Sequence, residues 1–238
     1  MKNELTINLT PTETDLKVIG EWLSSENKKY REGFYCNWST IVRSYSLNRM
    51  ISFNLRDKII GFLVYSPDEI SVEIDIFEIQ RKYRGKGYGK IFFKQVADEF
   101  KIQKFKAVSL FCEPVESERF WRGLGFLKFP ERGYSEPDLR FYKPLISFTE
   151  VTESPNELNK LELWDVEPFQ KDEVPPCWSW NIENSKLLEP IIQPCNENWN
   201  LRWTQNGKII KEGKVKRFST TNFPVIFDSF MYIENLVE

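Results

Sequence analysis

The alternation of apolar and polar residues along Val72–Ile79 predicts a β-strand, because successive side chains of a strand point to opposite faces. Shortly afterwards a helical spacing takes over, in which apolar residues fall on one face of an amphipathic helix. Its members are Phe92, Phe93, Val96, Ala97 and Phe100. The pattern therefore predicts a strand and a helix joined by the glycine-rich stretch Arg84–Lys90.

Apolar spacing predicts further helices and strands in the rest of the first 148 residues. A helix is expected after Thr12, where Thr12–Asp15 precedes the spaced apolar residues of Leu16–Leu23. The other predicted elements are strands over residues 4–9, Met50–Asn54, Lys58–Tyr65 and Phe105–Phe111, a helix over Ser39–Leu47, and a helix that ends at Gly125.

Glycines alternate within Arg84–Lys90, and this spacing predicts an anion site. Glycine lets a backbone turn sharply and bring its amide hydrogens close to a ligand, and a helix start adds a partial positive charge. Only three residues separate Gly85 from Gly89, which excludes a P-loop, and only Tyr88 separates Gly87 from Gly89, which excludes a dinucleotide fingerprint. The remaining pattern is Arg-x-x-Gly-x-Gly.

This pattern resembles the acyl-CoA signature of the GNAT family of N-acetyltransferases. Ser117–Phe126, which ends in Leu-Gly-Phe, is similar to a later helix of that family, and Leu139–Leu145 is similar to its closing strand. The resemblance covers residues 1–148. It implies an α/β (α+β) fold in which helices flank a mixed, splayed β-sheet.

The resemblance also implies acetyl-CoA as the cofactor. Backbone amides of Arg84–Lys90 would bind its pyrophosphate, and its pantetheine arm would pair with the strand before them. The residues assigned to the cofactor in this way are Phe77, Ile79, Arg81, Arg84, Gly85, Lys86, Gly87, Tyr88, Gly89, Lys90 and Trp121. Many relatives carry a proton-donating tyrosine where this chain has Trp121.

Two carboxylates are the candidate catalytic groups. The chain contains no histidine, which excludes serine–histidine hydrolases and histidine-ligated zinc. Glu73 lies eleven residues before Arg84, the position of the glutamate base in one branch of the family, and Asp75 shares its face by period two. The alternative is that both acids only face solvent from a half-buried strand.

Net charge, the length of apolar runs and the spacing of cysteines exclude further classes of protein. The formal net charge is −2, which argues against nucleic acid as a partner. No apolar run is long enough to span a membrane, so we expect a soluble, cytoplasmic protein. The four cysteines lack metal-site spacing and are expected to be buried thiols, with no metal site.

Beyond Ser147–Asn159, where turn-forming residues accumulate, the chain becomes rich in tryptophan. We place a boundary there, between a domain over residues 1–148 and a small, mostly β domain over residues 149–238. A hairpin is predicted around Asn206-Gly207, and one strand over Val225–Ile233. The tryptophans either fill a core or form a platform for a sugar or peptide.

Together these features predict an N-acetyltransferase that transfers an acetyl group from acetyl-CoA to a small-molecule or peptide amine. The amine would attack directly in a ternary complex. The alternative is a non-catalytic protein that binds acyl-CoA and recruits a partner through its carboxy-terminal domain.

Overall fold

The computed structural model describes residues 5–131, 137–182, 187–219 and 225–236. Its amino-terminal region forms a seven-stranded sheet in the order β1-β2-β3-β4-β5-β7-β6. The strands are β1 Leu5–Asn8, β2 Met50–Leu55, β3 Lys58–Pro67, β4 Ser71–Ile79, β5 Ala107–Phe111, β6 Leu127–Lys128 and β7 Arg140–Pro144. Strands β4 and β5 are parallel, and the other neighbours are antiparallel.

Helices cover both faces of this sheet. Helix α1 is Glu13–Tyr30, α2 Trp38–Ser46, α3 Tyr88–Ile102 and α4 Glu118–Arg122. The predicted start of α1 is confirmed by a capping box, in which the Thr12 N–H donates to Asp15 at 2.8 Å and the Asp15 N–H donates to the Thr12 hydroxyl at 3.2 Å. Apolar side chains of α1 and α2 pack on one face, and those of α3 and α4 pack on the other.

A β-bulge at Asp75 interrupts the predicted alternation of β4. Tyr65 pairs with Ile74 and the preceding Val64 pairs with Ile76, so Asp75 is the extra residue. Ile74 consequently packs beneath α3, whereas Ile76 packs beneath α1. A strict period of two is therefore wrong here, because the bulge shifts the residues that follow it.

Strands β4 and β5 separate after a short parallel contact, as the resemblance predicted. Their register runs from Ser71 opposite Ala107 to Ile74 opposite Leu110. Beyond it β4 continues to Ile79 with no strand on its β5 side among the described residues. The sheet therefore opens beside the start of α3.

The carboxy-terminal region contains two small antiparallel sheets, with strand orders β12-β11-β8-β9 and β10-β14-β13. Its elements are β8 Lys160–Trp164, β9 Trp178–Asn181, β10 Ile191–Pro194, β11 Asn200–Gln205, β12 Lys208–Lys214, α5 Val215–Ser219, β13 Val225–Phe227 and β14 Phe230–Ile233. The predicted turn at Asn206-Gly207 is confirmed, since both residues have positive φ, 51° and 73°. The tryptophans fill cores, with Trp164, Trp180, Trp199 and Trp203 all buried.

The prediction of a single strand over Val225–Ile233 is wrong. The segment is a hairpin, in which Phe227 pairs with Met231. Asp228 makes the turn, because its carboxylate accepts a hydrogen bond from the Phe230 N–H at 2.8 Å. The apolar run thus consists of two strands that fold back on each other, of which β14 is buried along its whole length.

The carboxy-terminal region shares a core with the large sheet. Ile192, Phe230 and Tyr232 pack against Ile70, Ala107 and Phe129. The Asp228 carboxylate accepts hydrogen bonds from the Ile70 N–H at 3.0 Å and from the Ser71 hydroxyl at 2.9 Å. The division at residues 148 and 149 stays a prediction, because this packing crosses it.

Candidate functional site

The loop between β4 and α3 presents a row of free backbone donors. Gly85 and Gly87 have φ of 72° and 80°, the left-handed conformation that glycine adopts most readily. Within the described residues, the N–H groups of residues 85–89 have no backbone acceptor, whereas those of Lys90 and Ile91 donate to the Gly87 carbonyl. Five amides at a helix start, together with the helix dipole, suit an anion such as a diphosphate.

Gly89 has a different role from the other two glycines. A Cβ at Gly85 or Gly87 would meet nothing within 4 Å, but one at Gly89 would lie 3.1 Å from the ring of Phe120. Gly89 therefore permits α4 to pack closely against the first turn of α3. The sequence pattern assigned it to the ligand alone, because helix packing cannot be read from a local motif.

The open edge of β4 lies next to this loop. Phe77 and Ile79 turn their side chains into the core, where the Phe77 ring stacks on Phe92 with centroids 5.0 Å apart. Their backbone groups on the β5 side are the part that a ligand can reach, since no strand pairs with them there among the described residues. An extended pantetheine-like chain would bind by main-chain hydrogen bonds.

The two arginines of the loop point toward the end of α1. Arg84 Nε donates to the Ile79 carbonyl at 2.8 Å, and its guanidinium pairs with Glu78. Arg81 pairs with Glu32 and lies 4.4 Å from the centroid of the Tyr30 ring. Both side chains tie the loop to α1, while Lys86, Tyr88 and Lys90 remain near the amide row without such ties to α1.

Glu78 is a candidate functional residue that the sequence motifs do not include. It is 6% exposed, and burial raises its pKa to about 7, although the neighbouring Arg84 opposes that rise. The charges of Glu26 and Glu32 raise the pKa further. The one available signal was an acid placed between the apolar Phe77 and Ile79 at the end of a strand.

Glu73 and Asp75 lie together on the face of β4 that is opposite α3. The Ser66 hydroxyl donates to Asp75 at 2.9 Å, and Ser66 is the cross-strand partner of Glu73. Burial raises the pKa of both carboxyls, and the charge of Asp75 raises that of Glu73 further. Both acids nevertheless remain accessible to solvent, as expected for side chains in a recess.

This recess has two covered borders. On one side α1 and α2 pack over β2, β3 and the end of β4. On the other side the carboxy-terminal region packs over β5 and β7, where the Tyr142 ring lies 5.8 Å from that of Phe230. Tyr142 and Glu73 lie at the same level across the sheet, because Ser109 of β5 pairs with Glu73 of β4 on one side and with Tyr142 of β7 on the other. The acids thus lie on the part of the sheet between the two coverings, which we call the cleft.

Trp121 is 6% exposed and lies within an aromatic cluster. Its ring contacts those of Phe77, Phe93 and Phe126 with centroids 5.3, 6.0 and 5.1 Å apart. The indole thus packs α4 against α3 and β4, on the face opposite Glu73.

The sequence profile of the acetyltransferase (GNAT) family matches residues 17–126, which include the loop, the open edge of β4 and both acids. The amino-terminal region is a GNAT-family domain. This membership makes the protein an acyltransferase that uses acetyl-CoA as its cosubstrate.

Several solved structures are similar to this GNAT domain. The PaiA N-acetyltransferase of Thermoplasma acidophilum, in complex with coenzyme A, is 16% identical, with 59% of this chain and 99% of that chain covered and a TM-score of 0.46. A GNAT acetyltransferase of Staphylococcus aureus Mu50 is 15% identical, with 60% of this chain and 100% of that chain covered and a TM-score of 0.48.

A search of curated proteins gives no match. No helix among the described residues has the length and apolar character needed to cross a bilayer.

Proposed function

We propose that this GNAT protein transfers the acetyl group of acetyl-CoA to an amine by direct attack in a ternary complex. The observation that supports this most is the position of Glu73 and Asp75 in the cleft, where the sheet opens beside the amide row. Cofactor and acceptor can then approach each other from the two faces of the opening. Two acids there favour a cationic acceptor.

Glu73 is assigned as the general base. An alkyl ammonium has a pKa of about 10.4, so a base must take its proton before the nitrogen becomes a nucleophile. Because its pKa is raised, the carboxylate of Glu73 is a stronger proton acceptor than that of an ordinary glutamate. Asp75 assists by raising the pKa of Glu73 through its charge.

The backbone of β4 supplies the electrostatic part of the reaction. Acetyl-CoA provides a thioester, whose carbonyl carbon gains the amine and whose C–S bond breaks. Amides along Asp75–Ile79 on the open edge donate to the oxygen that becomes negative, and no ionisable side chain is required. Solvent at the open side of the sheet returns the proton to the departing sulfur, since Trp121 is packed in the core.

The test is thioester cleavage over a panel of amines with wild type, Glu73→Gln and Asp75→Asn. We expect amine-dependent release of coenzyme A, and a loss of about 100-fold or more in kcat for Glu73→Gln. The activity of the wild-type protein should rise with pH as Glu73 loses its proton, and that of Glu73→Gln should not show this rise. The control is Glu150→Gln, which changes an exposed acid outside the cleft. Binding of acetyl-CoA without turnover of any amine would contradict the proposal and support a non-catalytic acyl-CoA-binding protein.

A further inference from the structure

Arg140 lies in the same cleft as the proposed base. It is the first residue of β7 and pairs with Phe111 of β5. Tyr142, two residues later, faces the same side and is in line with Glu73 through Ser109. The intervening Phe141 points the other way, into the core beneath α3. Arg140 therefore shares the face of Glu73.

The Nε of Arg140 is a buried donor without an acceptor among the residues that the structure describes. No ion pair of the described part of the chain includes Arg140. Its charge nevertheless reaches Glu73, whose pKa it lowers. Buried donors of a charged group are nearly always paired, so an unpaired one in a cleft indicates a place for an anion.

Among the described residues, no carboxylate on the carboxy-terminal side of the cleft forms an ion pair with Arg140. On the carboxy-terminal side the cleft is bordered by aromatic rings, with Phe129 and Tyr142 5.3 Å apart and Phe230 packed against both. Asp228, the acid at the turn of the carboxy-terminal hairpin, accepts hydrogen bonds from Ile70 and Ser71. The rings would exclude water from an anion bound to Arg140, which strengthens a charged contact.

We propose that Arg140 binds a carboxylate carried by the acceptor, while Glu73 takes the proton from the amine of the same molecule. The acceptor is then a carboxylated amine, such as an amino acid or a short peptide. Strands β4 and β7 are two strand spacings apart, about 10 Å, and Glu73 and Arg140 share one face of the sheet, so a small amino acid or short peptide can contact both side chains. Arginine matches a carboxylate with two parallel donors. This inference rests on the proposed function.

The experiment compares leucine with leucinamide, and glycylglycine with its amide, in two assays. Calorimetry measures their binding to protein saturated with coenzyme A, and a steady-state assay measures kcat/KM. We expect the carboxylated member of a pair to bind about tenfold tighter or more, and to be the better substrate by a similar factor, mainly through KM. Arg140→Gln should bring both ratios close to one, and Arg140→Lys should keep part of the preference.

The two Arg140 variants also distinguish a direct contact between Arg140 and the carboxylate of the acceptor from an indirect effect of Arg140 on the pKa of Glu73. Loss of the positive charge would raise the pKa of Glu73 and move the pH profile equally for acid and amide, whereas loss of the anion contact changes the ratio between them. An equal preference for acid and amide in wild type would overturn the inference, even if amines are acetylated. Tight binding of the acids without turnover would instead overturn the proposed function and leave the carboxylate site standing. Thermal unfolding checks that both variants are folded.

Discussion

The carboxylate of Glu78 forms an ion pair with the guanidinium of Arg84, and the pair joins the end of β4 to the loop that precedes α3. Arg84 also lies 3.7 Å from Glu32 at the end of α1, so this arginine contacts both partners of the loop. Of these groups Glu78 is the most buried, and its pKa of about 7 means that it is only partly ionised at neutral pH. The contact between α1 and the amide row is therefore sensitive to pH.

This relationship predicts how stability depends on pH. The pKa of Glu78 is raised in the folded protein, so its stabilising effect is complete below its unfolded pKa of about 4.5 and is lost as pH rises through about 7. The loss amounts to about 3 kcal/mol. Glu78→Gln does not titrate, so its free energy of unfolding should fall less than that of wild type between pH 5 and pH 8. Denaturant titrations at both pH values measure this, and parallel curves for the two proteins would contradict it.

The glycine loop predicts a difference between two substitutions at one position. Gly87→Ala strains a left-handed residue by about 1 kcal/mol but adds no charge. Gly87→Glu adds the same strain and a carboxylate beside the free amides, and should abolish binding of acetyl-CoA. Calorimetry with both variants isolates the effect of charge. Equal affinity of Gly87→Glu and Gly87→Ala would show that no anion binds there.

Gly89 should be needed for packing. The Cβ of Gly89→Ala would lie 3.1 Å from Phe120, so we expect a loss of about 1–2 kcal/mol in stability. Phe120→Leu in the same chain removes the crowding atoms and should recover part of the loss. Thermal unfolding of the single and double variants checks this, and strictly additive effects would rule out the proposed contact.

The hydrogen bonds between the carboxy-terminal hairpin and the large sheet should stabilise one border of the cleft. Asp228→Ala leaves the buried Ile70 N–H and Ser71 hydroxyl without their acceptor, at a cost of about 1–3 kcal/mol. Asp228→Asn keeps an acceptor and should lose less. Limited proteolysis should find residues 225–236 cleaved sooner in Asp228→Ala. Unchanged cleavage and stability would mean that the hairpin is held by its apolar residues alone.

Local patterns predicted α1, α3 and strands β3 and β4, which are long, whereas the mixed sheet, α4 and β7 were implied by the resemblance to the GNAT family. They did not predict the bulge at Asp75, since a bulge depends on pairing with β3. The burial of Glu78 follows from that bulge and from α1, and no local signal encodes either. Arg140 was missed for a similar reason, because its proximity to Glu73 is created by the order of β4, β5 and β7.

The carboxy-terminal region was predicted less well. Its strands β8, β9 and β10 are only four or five residues long and carry little periodicity. The sequence pattern predicts one strand where β13 and β14 form a hairpin, because the turn at Asp228 contains neither glycine nor proline. Its contact with the large sheet is formed between residues far apart in the chain and could not be inferred from composition.

The backbone amides of residues 85–89 are expected to hold the diphosphate of acetyl-CoA. Amide hydrogen exchange of the full chain, with and without saturating acetyl-CoA, measures this contact at the amides themselves. We expect exchange at residues 85–89 to slow markedly when acetyl-CoA is added, while exchange in the turn at Asn206-Gly207 does not change. Binding of acetyl-CoA detected by calorimetry, with unchanged exchange at residues 85–89, would contradict it.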